Sequence, residues 1–226
     1  MKLTYYGHAC FAVQTAGRVL VFDPFITPNE LARGIDLEKV PADYIFVSHG
    51  HFDHIADAVA LAKHTGATVV SNHEICNWLL RQGVAKTHAL NHGGSARLDF
   101  GRAMFTAAVH SSSLPDGTYG GNPGGFLVQT AEGDFYYAGD TALTQDMKLI
   151  GETARLRFAA LPIGDTFTMG VDDAVRAAEF LRCTEVFGLH YNTFAAIRID
   201  EAEAVAKFRA ARKHLRLLLP GESHNF

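Results

Sequence analysis

The run His49-Gly50-His51-Phe52-Asp53-His54 stands directly after Tyr44 to Val47, an apolar stretch with no polar alternation. Such a stretch suits a strand buried on both faces, so the chain must build a covered sheet and carry polar donors out of its end. In a loop at a strand end, imidazoles two residues apart can converge on one cation while Asp53 and His54 turn to a second. The chain has 12 histidines, and further donors repeat the placement. His110 follows Met104 to Val109, Asp140 follows Phe135 to Ala138 through Gly139, and His190 follows Val186 to Leu189. Side chains at strand ends project from a rigid scaffold toward a shared rim, which lets these residues meet.

The surrounding pattern gives the scaffold. Leu3 to Tyr6, Cys10 to Thr15 and Val19 to Phe22 read as an antiparallel meander, and Ala67 to Val70 as a further strand. Ile55, Ala58, Val59 and Ala62 recur at helical spacing up to Gly66, and Ser71 with Glu74 reads as a capping box for a helix over 72–82. Later strands are expected at Met104 to Val109, Phe126 to Thr130, Phe135 to Ala138, Phe158 to Leu161, Glu185 to Leu189 and Leu215 to Leu219. Helices are expected at Asp172 to Leu181 and about Asp200 to Arg212. Early strands followed by alternating strands and helices imply an α/β fold: two mixed sheets face to face with helices outside, a four-layer αββα sandwich. With 226 residues and 48% hydrophobic content the expectation is one domain over 1–226.

Charge and cysteine content narrow the function classes. A formal charge of -4, with no basic block, disfavours dedicated nucleic-acid binding. Cys10, Cys76 and Cys183 lack CxxC spacing and imply reduced thiols. No apolar run reaches the length of a membrane span, and His8 falls where a signal peptide needs its apolar core, so a cytoplasmic protein without membrane attachment is expected. The expected partner is a small-molecule substrate, with homo-oligomers compatible.

HGHFDH at His49 to His54, His110, Gly139-Asp140-Thr141 and His190 together resemble the ligand order of the metallo-β-lactamase superfamily. The resemblance implies the αββα sandwich, with His49, His51 and His110 on one metal, Asp53, His54 and His190 on a second, and Asp140 bridging. Tyr6-Gly7-His8-Ala9-Cys10-Phe11, Phe22-Asp23-Pro24-Phe25, Gly164 to Gly170 and His190 to Phe194 look like its small stand-alone metal-dependent hydrolases of unassigned substrate. A donor set of N and O without thiolate suits zinc, with manganese or iron able to occupy it. Two such ions would activate a bridging hydroxide to cleave a small ester, lactone, amide or phosphodiester. Other readings of the same scaffold are a mononuclear iron oxygenase acting on a persulfide and a non-catalytic metal-binding protein.

Around this set, Asp53 is expected to act as ligand and as the catalytic group that orients the nucleophile or passes its proton to the leaving group. His8 is expected either to contact a substrate oxyanion or to be a surface loop histidine. Asp23 is placed either to accept the free N–H of a ligating imidazole or to organise the Asp-Pro turn. By resemblance only, Thr166, Thr168, Met169, Tyr191 and Asn192 would line the mouth, while the glycine-rich loop from Ser111 to Gly125 should border the metals. His64, His73, His88, His92, His214 and His224 lack ligand spacing.

Overall fold

The computed structural model describes residues 1–226. The first half forms β1 (Lys2–Gly7), β2 (Cys10–Thr15), β3 (Arg18–Phe22), β4 (Tyr44–Phe46), α1 (Phe52–Ile55), α2 (Ala58–Thr65), β5 (Thr68–Asn72), α3 (His73–Arg81) and β6 (Thr87–Leu90). The second half forms β7 (Ser95–Leu98), β8 (Gly101–Ala107), β9 (Gly124–Thr130), β10 (Gly133–Tyr137), α4 (Asp146–Thr153), β11 (Leu156–Pro162), α5 (Val171–Phe180), β12 (Glu185–Leu189), α6 (Glu201–Ala210) and β13 (His214–Arg216), and β14 (Ser223–Asn225) ends the chain.

The strands make two seven-stranded sheets, ordered β14-β1-β2-β3-β4-β5-β6 and β13-β12-β11-β10-β9-β8-β7. In each, an antiparallel part passes into a parallel part, at β3–β4 in the first and β10–β11 in the second. Period-two alternation decides the layers. Phe11, Val13, Leu20, Phe22 and Phe46 of the first sheet meet Phe105, Phe126, Val128, Phe135 and Phe187 of the second in a common core. The intervening Ala12, Val21, Ile45 and Val47 face the opposite way, onto Leu61, Ile75 and Leu79 of the helices. This is why Tyr44 to Val47 shows no polar alternation: both faces are covered. On the far side of the second sheet Ala159, Leu161 and Val186 pack with Met147, Ile150, Ala174, Ala177 and Phe208. The result is the αββα order expected from the sequence. Phe22 stacks between Phe11 and Phe46 at 4.6 and 4.8 Å, and each such ring taken from water contributes about 2–3 kcal/mol.

Several local readings need correction. Asn72, not Ser71, caps α3: its side chain accepts from Ile75 N, while the Ser71 hydroxyl donates to Val47 O. The strand read at Met104 to Val109 runs from Gly101 to Ala107, and that at Leu215 to Leu219 is the short β13. The strands β6, β7 and β14 and the helix α4 carry too little apolar periodicity to be read from sequence. All three cysteines are buried and unpaired. No helix is long and apolar enough to cross a membrane.

Candidate metal centre

The backbone of the histidine run explains its donor geometry. His51 is extended (φ −64°, ψ 147°) and caps α1, so His49 and His51 leave an extended segment two residues apart, while the first turn of α1 brings Asp53 and His54 round to one side. Asp140 follows Gly139, whose positive φ of 63° and contact with the Gly124 carbonyl favour glycine. His190 leaves the end of β12 with φ 54°, His8 follows β1 with φ 58° and Asp23 follows β3 with φ 40°. Left-handed backbone costs a residue with a Cβ about 1–2 kcal/mol. Main-chain bonds hold it here, His190 N to His8 O and Asp23 N to Phe46 O, each 2.9 Å.

Two donor clusters result. His49 Nε2 and His110 Nε2 lie 3.0 and 3.3 Å from His51 Nδ1. Close to them, His8, Asp53, His54 and His190 present ligand atoms all within 4.8 Å of one another. Asp140 spans both groups: its Oδ2 is 3.0 Å from His190 Nε2, 3.3 Å from His54 Nε2 and 3.6 Å from His110 Nε2.

Beneath the donors, Asp23 collects the protons that fix two tautomers. Its Oδ1 accepts from Ser48 N (2.7 Å), and its Oδ2 from Ser48 Oγ (2.5 Å), Tyr137 Oη (2.5 Å) and His54 Nδ1 (2.7 Å). Since the Ser48 proton goes to Asp23, Ser48 Oγ accepts from His49 Nδ1 at 2.9 Å. Both His49 and His54 therefore turn Nε2 toward the centre, as a ligand requires. At the opening, Ser111 Oγ lies 3.3 Å from His51 Nε2, and Ser112 Oγ accepts from Gly50 N.

The residues fit divalent cations. His54 Nε2 and Asp140 Oδ1 are buried without a hydrogen-bond partner, a costly condition unless another group completes them. Three imidazole nitrogens about 3 Å apart are spaced like the edges of a tetrahedron around an ion with Zn–N near 2.0–2.1 Å. Without metal, protons supply the positive charge. Burial alone would lower His190, but Asp140 and hydrogen bonds to Asp140 and Asp53 overcome it and raise its pKa to about 9. His54 is raised likewise against burial, chiefly by Asp140 and Asp53. Burial lowers His49, His51 and His110, with the neighbouring His54 adding to the effect. Metal uptake at neutral pH must therefore expel protons from His54 and His190. Affinity should rise about tenfold per pH unit for each proton displaced, from pH 7 toward 9. Calorimetric titration of zinc into metal-free protein in buffers of different ionisation enthalpy should show proton release; no release at pH 7 would contradict the charge assignment.

His8 differs from its expected role. It is wholly buried, its Nδ1 lies 2.9 Å from Thr193 Oγ1, and its Nε2 lies 3.0 Å from Asp53 Oδ2. With both nitrogens engaged it offers nothing to a substrate oxyanion and instead fixes Asp53. Burial depresses its pKa to about 4, against the opposing bond to Asp53. Met169 and Tyr191 are buried in the helix-side core, not at a mouth. Thr166 Oγ1 donates to Ala196 O, Thr168 Oγ1 to Met169 O, and Asn192 joins Ile199 N to Glu201, so these polar groups brace their own loops. Sequence reasoning missed Ser48, Tyr137 and Thr193, and also Phe25 and Phe194, whose rings lie beside that of His8, and Phe52, which packs on Phe25.

Comparison with known proteins agrees with this picture. The profile of the Beta-lactamase superfamily domain matches residues 2–190. A UPF0173 metal-dependent hydrolase of Methylacidiphilum infernorum is 52% identical over 223 residues, covering 99% of both chains. One from Flavobacterium johnsoniae is 48% identical with the same coverage. The solved structure of Igni18, a metallo hydrolase from Ignicoccus hospitalis, superposes with a TM-score of 0.90 at 36% identity, over 100% of this chain and 98% of that one.

Proposed function

Because this chain belongs to the UPF0173 metal-dependent hydrolases of the β-lactamase superfamily, we propose that it works with two divalent ions, zinc by preference, on a small ester, lactone, amide or phosphodiester. The observation that carries the dinuclear reading is Asp140, whose single Oδ2 reaches nitrogens of both donor clusters. His49, His51 and His110 would hold one ion, Asp53, His54 and His190 the other, and Asp140 both. When bound, such a pair lowers the pKa of a shared water toward about 7 and polarises the scissile group.

The remaining work falls to the chain. Asp53 has a side chain 24% exposed, against 3% for Asp140, so it is the carboxylate of the set that meets an incoming substrate. Burial would raise its pKa, but His54 and the hydrogen bonds from His190 and His8 hold it well below the usual carboxylate range. It stays ionised and accepts a hydrogen bond from the attacking water, orienting it toward the substrate. His8 keeps that carboxylate in one rotamer, and Thr193 keeps His8 in place. Ser111 supplies a hydroxyl at the His51 side of the opening.

Metal analysis of the purified protein tests the reading together with a panel of chromogenic ester, lactone and phosphodiester substrates. The expected result is two equivalents of zinc per chain and hydrolysis abolished by chelation and restored by zinc. One iron per chain with consumption of oxygen would overturn it.

A further inference from the structure

Three phenylalanines form a continuous wall on the Asp53 side of the centre. Phe25, itself buried, sits with its ring 5.6 Å from that of His8 and 5.8 Å from that of Phe52. Phe194 lies 5.3 Å from His8 and 6.5 Å from Phe25. Phe52 and Phe194 remain 55% and 43% exposed, although both adjoin the donor residues. Single exposed apolar residues are ordinary, but two large rings backed by a third and abutting a polar centre mark a recognition surface. His8 ties the wall to the chemistry, since the ring that Phe25 and Phe194 pack against is the one bonded to Asp53.

Charge points the same way. The chain has 20 lysines and arginines, yet none falls in 23–29, 48–57, 107–125, 138–145 or 188–197, the segments that carry the donors and the three phenylalanines; Arg198 follows the last of them. Sites that grip phosphate or carboxylate groups ordinarily supply Arg or Lys for charge-assisted hydrogen bonds. Here the rim offers aromatic rings on one side and the Ser111 hydroxyl on the other.

Resting on the hydrolase reading above, we infer that the substrate is an uncharged acyl compound, an ester, lactone or amide, whose aryl or branched alkyl group lies on Phe52 and Phe194 while its carbonyl faces the donors. This ranks the acyl bonds above the phosphodiester, whose charge the metals alone would have to meet. In the reaction the water oxygen bonds to the carbonyl carbon and the acyl C–O or C–N bond breaks. One water proton passes to the leaving oxygen or nitrogen, and the other is lost as the acid product ionises.

Binding of hydroxamates to zinc-loaded protein tests the wall without turnover, because the hydroxamate group addresses the metals and its substituent addresses the rim. Phenylacetohydroxamate should bind at least tenfold more tightly than acetohydroxamate, about 1.4 kcal/mol, and more tightly than the anionic phosphonoacetohydroxamate. In the F52A/F194A double variant the phenyl advantage should fall below threefold, with zinc content and acetohydroxamate affinity unchanged. F52L/F194L should keep most of it. Equal affinities in the parent protein, a phenyl advantage that survives F52A/F194A, or preference for the phosphonate would overturn the inference. If the phenyl advantage is found and lost as expected while no ester, lactone or amide is hydrolysed, the wall stands and the hydrolase reading fails.

Discussion

Asp140→Ala protein is expected to retain less than half an equivalent of zinc after dialysis and to hydrolyse substrate at least about a thousandfold more slowly, while its far-UV circular dichroism is unchanged. Loss of an outer partner of a ligand already costs about 10–100-fold in metal affinity, so loss of the one oxygen shared by both clusters should cost more. The scaffold survives because the three hydrophobic clusters that hold the sheets and helices do not include Asp140. A second signature comes from the metal-free proteins. The raised His190 pKa, about 9 against 6.5 for a free imidazole, adds stability that is complete below pH 6.5 and is lost as the pH rises through 9. Urea unfolding midpoints of the metal-free parent should therefore fall between pH 6 and 9, and Asp140→Ala should weaken that dependence. Two equivalents of tightly held zinc in the variant would refute the bridging assignment.

Asp53→Asn keeps the shape of the side chain and removes its charge. Turnover should fall by about 10²–10⁴, the usual contribution of a positioned acid–base group, while KM changes less than threefold, because orientation of the nucleophile matters in the transition state and not in the ground state. Zinc content must be measured on the same samples, since Asp53 also belongs to the donor set. An unchanged kcat with a raised KM would assign Asp53 to substrate binding. His8→Ala should show the same pattern at smaller amplitude, because it acts through Asp53; full zinc and full turnover in that variant would show that Asp53 needs no support.

The donors were legible in the sequence because each is tied to a strong local signal. An apolar run specifies where a strand ends, and a His or Asp just beyond it has few directions to point. What supports the donors was not legible. Ser48, Tyr137 and Thr193 are ordinary in sequence, and their meaning lies in contacts across the sheets, such as Tyr137 with Asp23, that no spacing records. Of the residues expected at the mouth, Met169 and Tyr191 lie in the helix-side core, because neighbourhood along the chain says which loop a residue belongs to and not which of its side chains turns inward. Phe52 stands inside the histidine run between two donors, and nothing in its spacing distinguishes a rim ring from a core one. In the fold, β7 and β14 are short, largely polar edge strands whose pairing is set by partners and not by their own periodicity.

The contact between His8 and Thr193 spans 185 residues, and with the main-chain bond from His190 to His8 it closes the centre between the first and twelfth strands. Along the chain the His49, His51 and His110 cluster has all its donors once β8 is passed, whereas the Asp53 cluster lacks His190 until the end of β12. Closing the Asp53 cluster joins groups far apart in sequence, and contacts of long sequence separation form slowly. The order of the strands thus lets the His49 cluster be specified without β9 to β13, and leaves the Asp53 cluster to be closed by the second sheet.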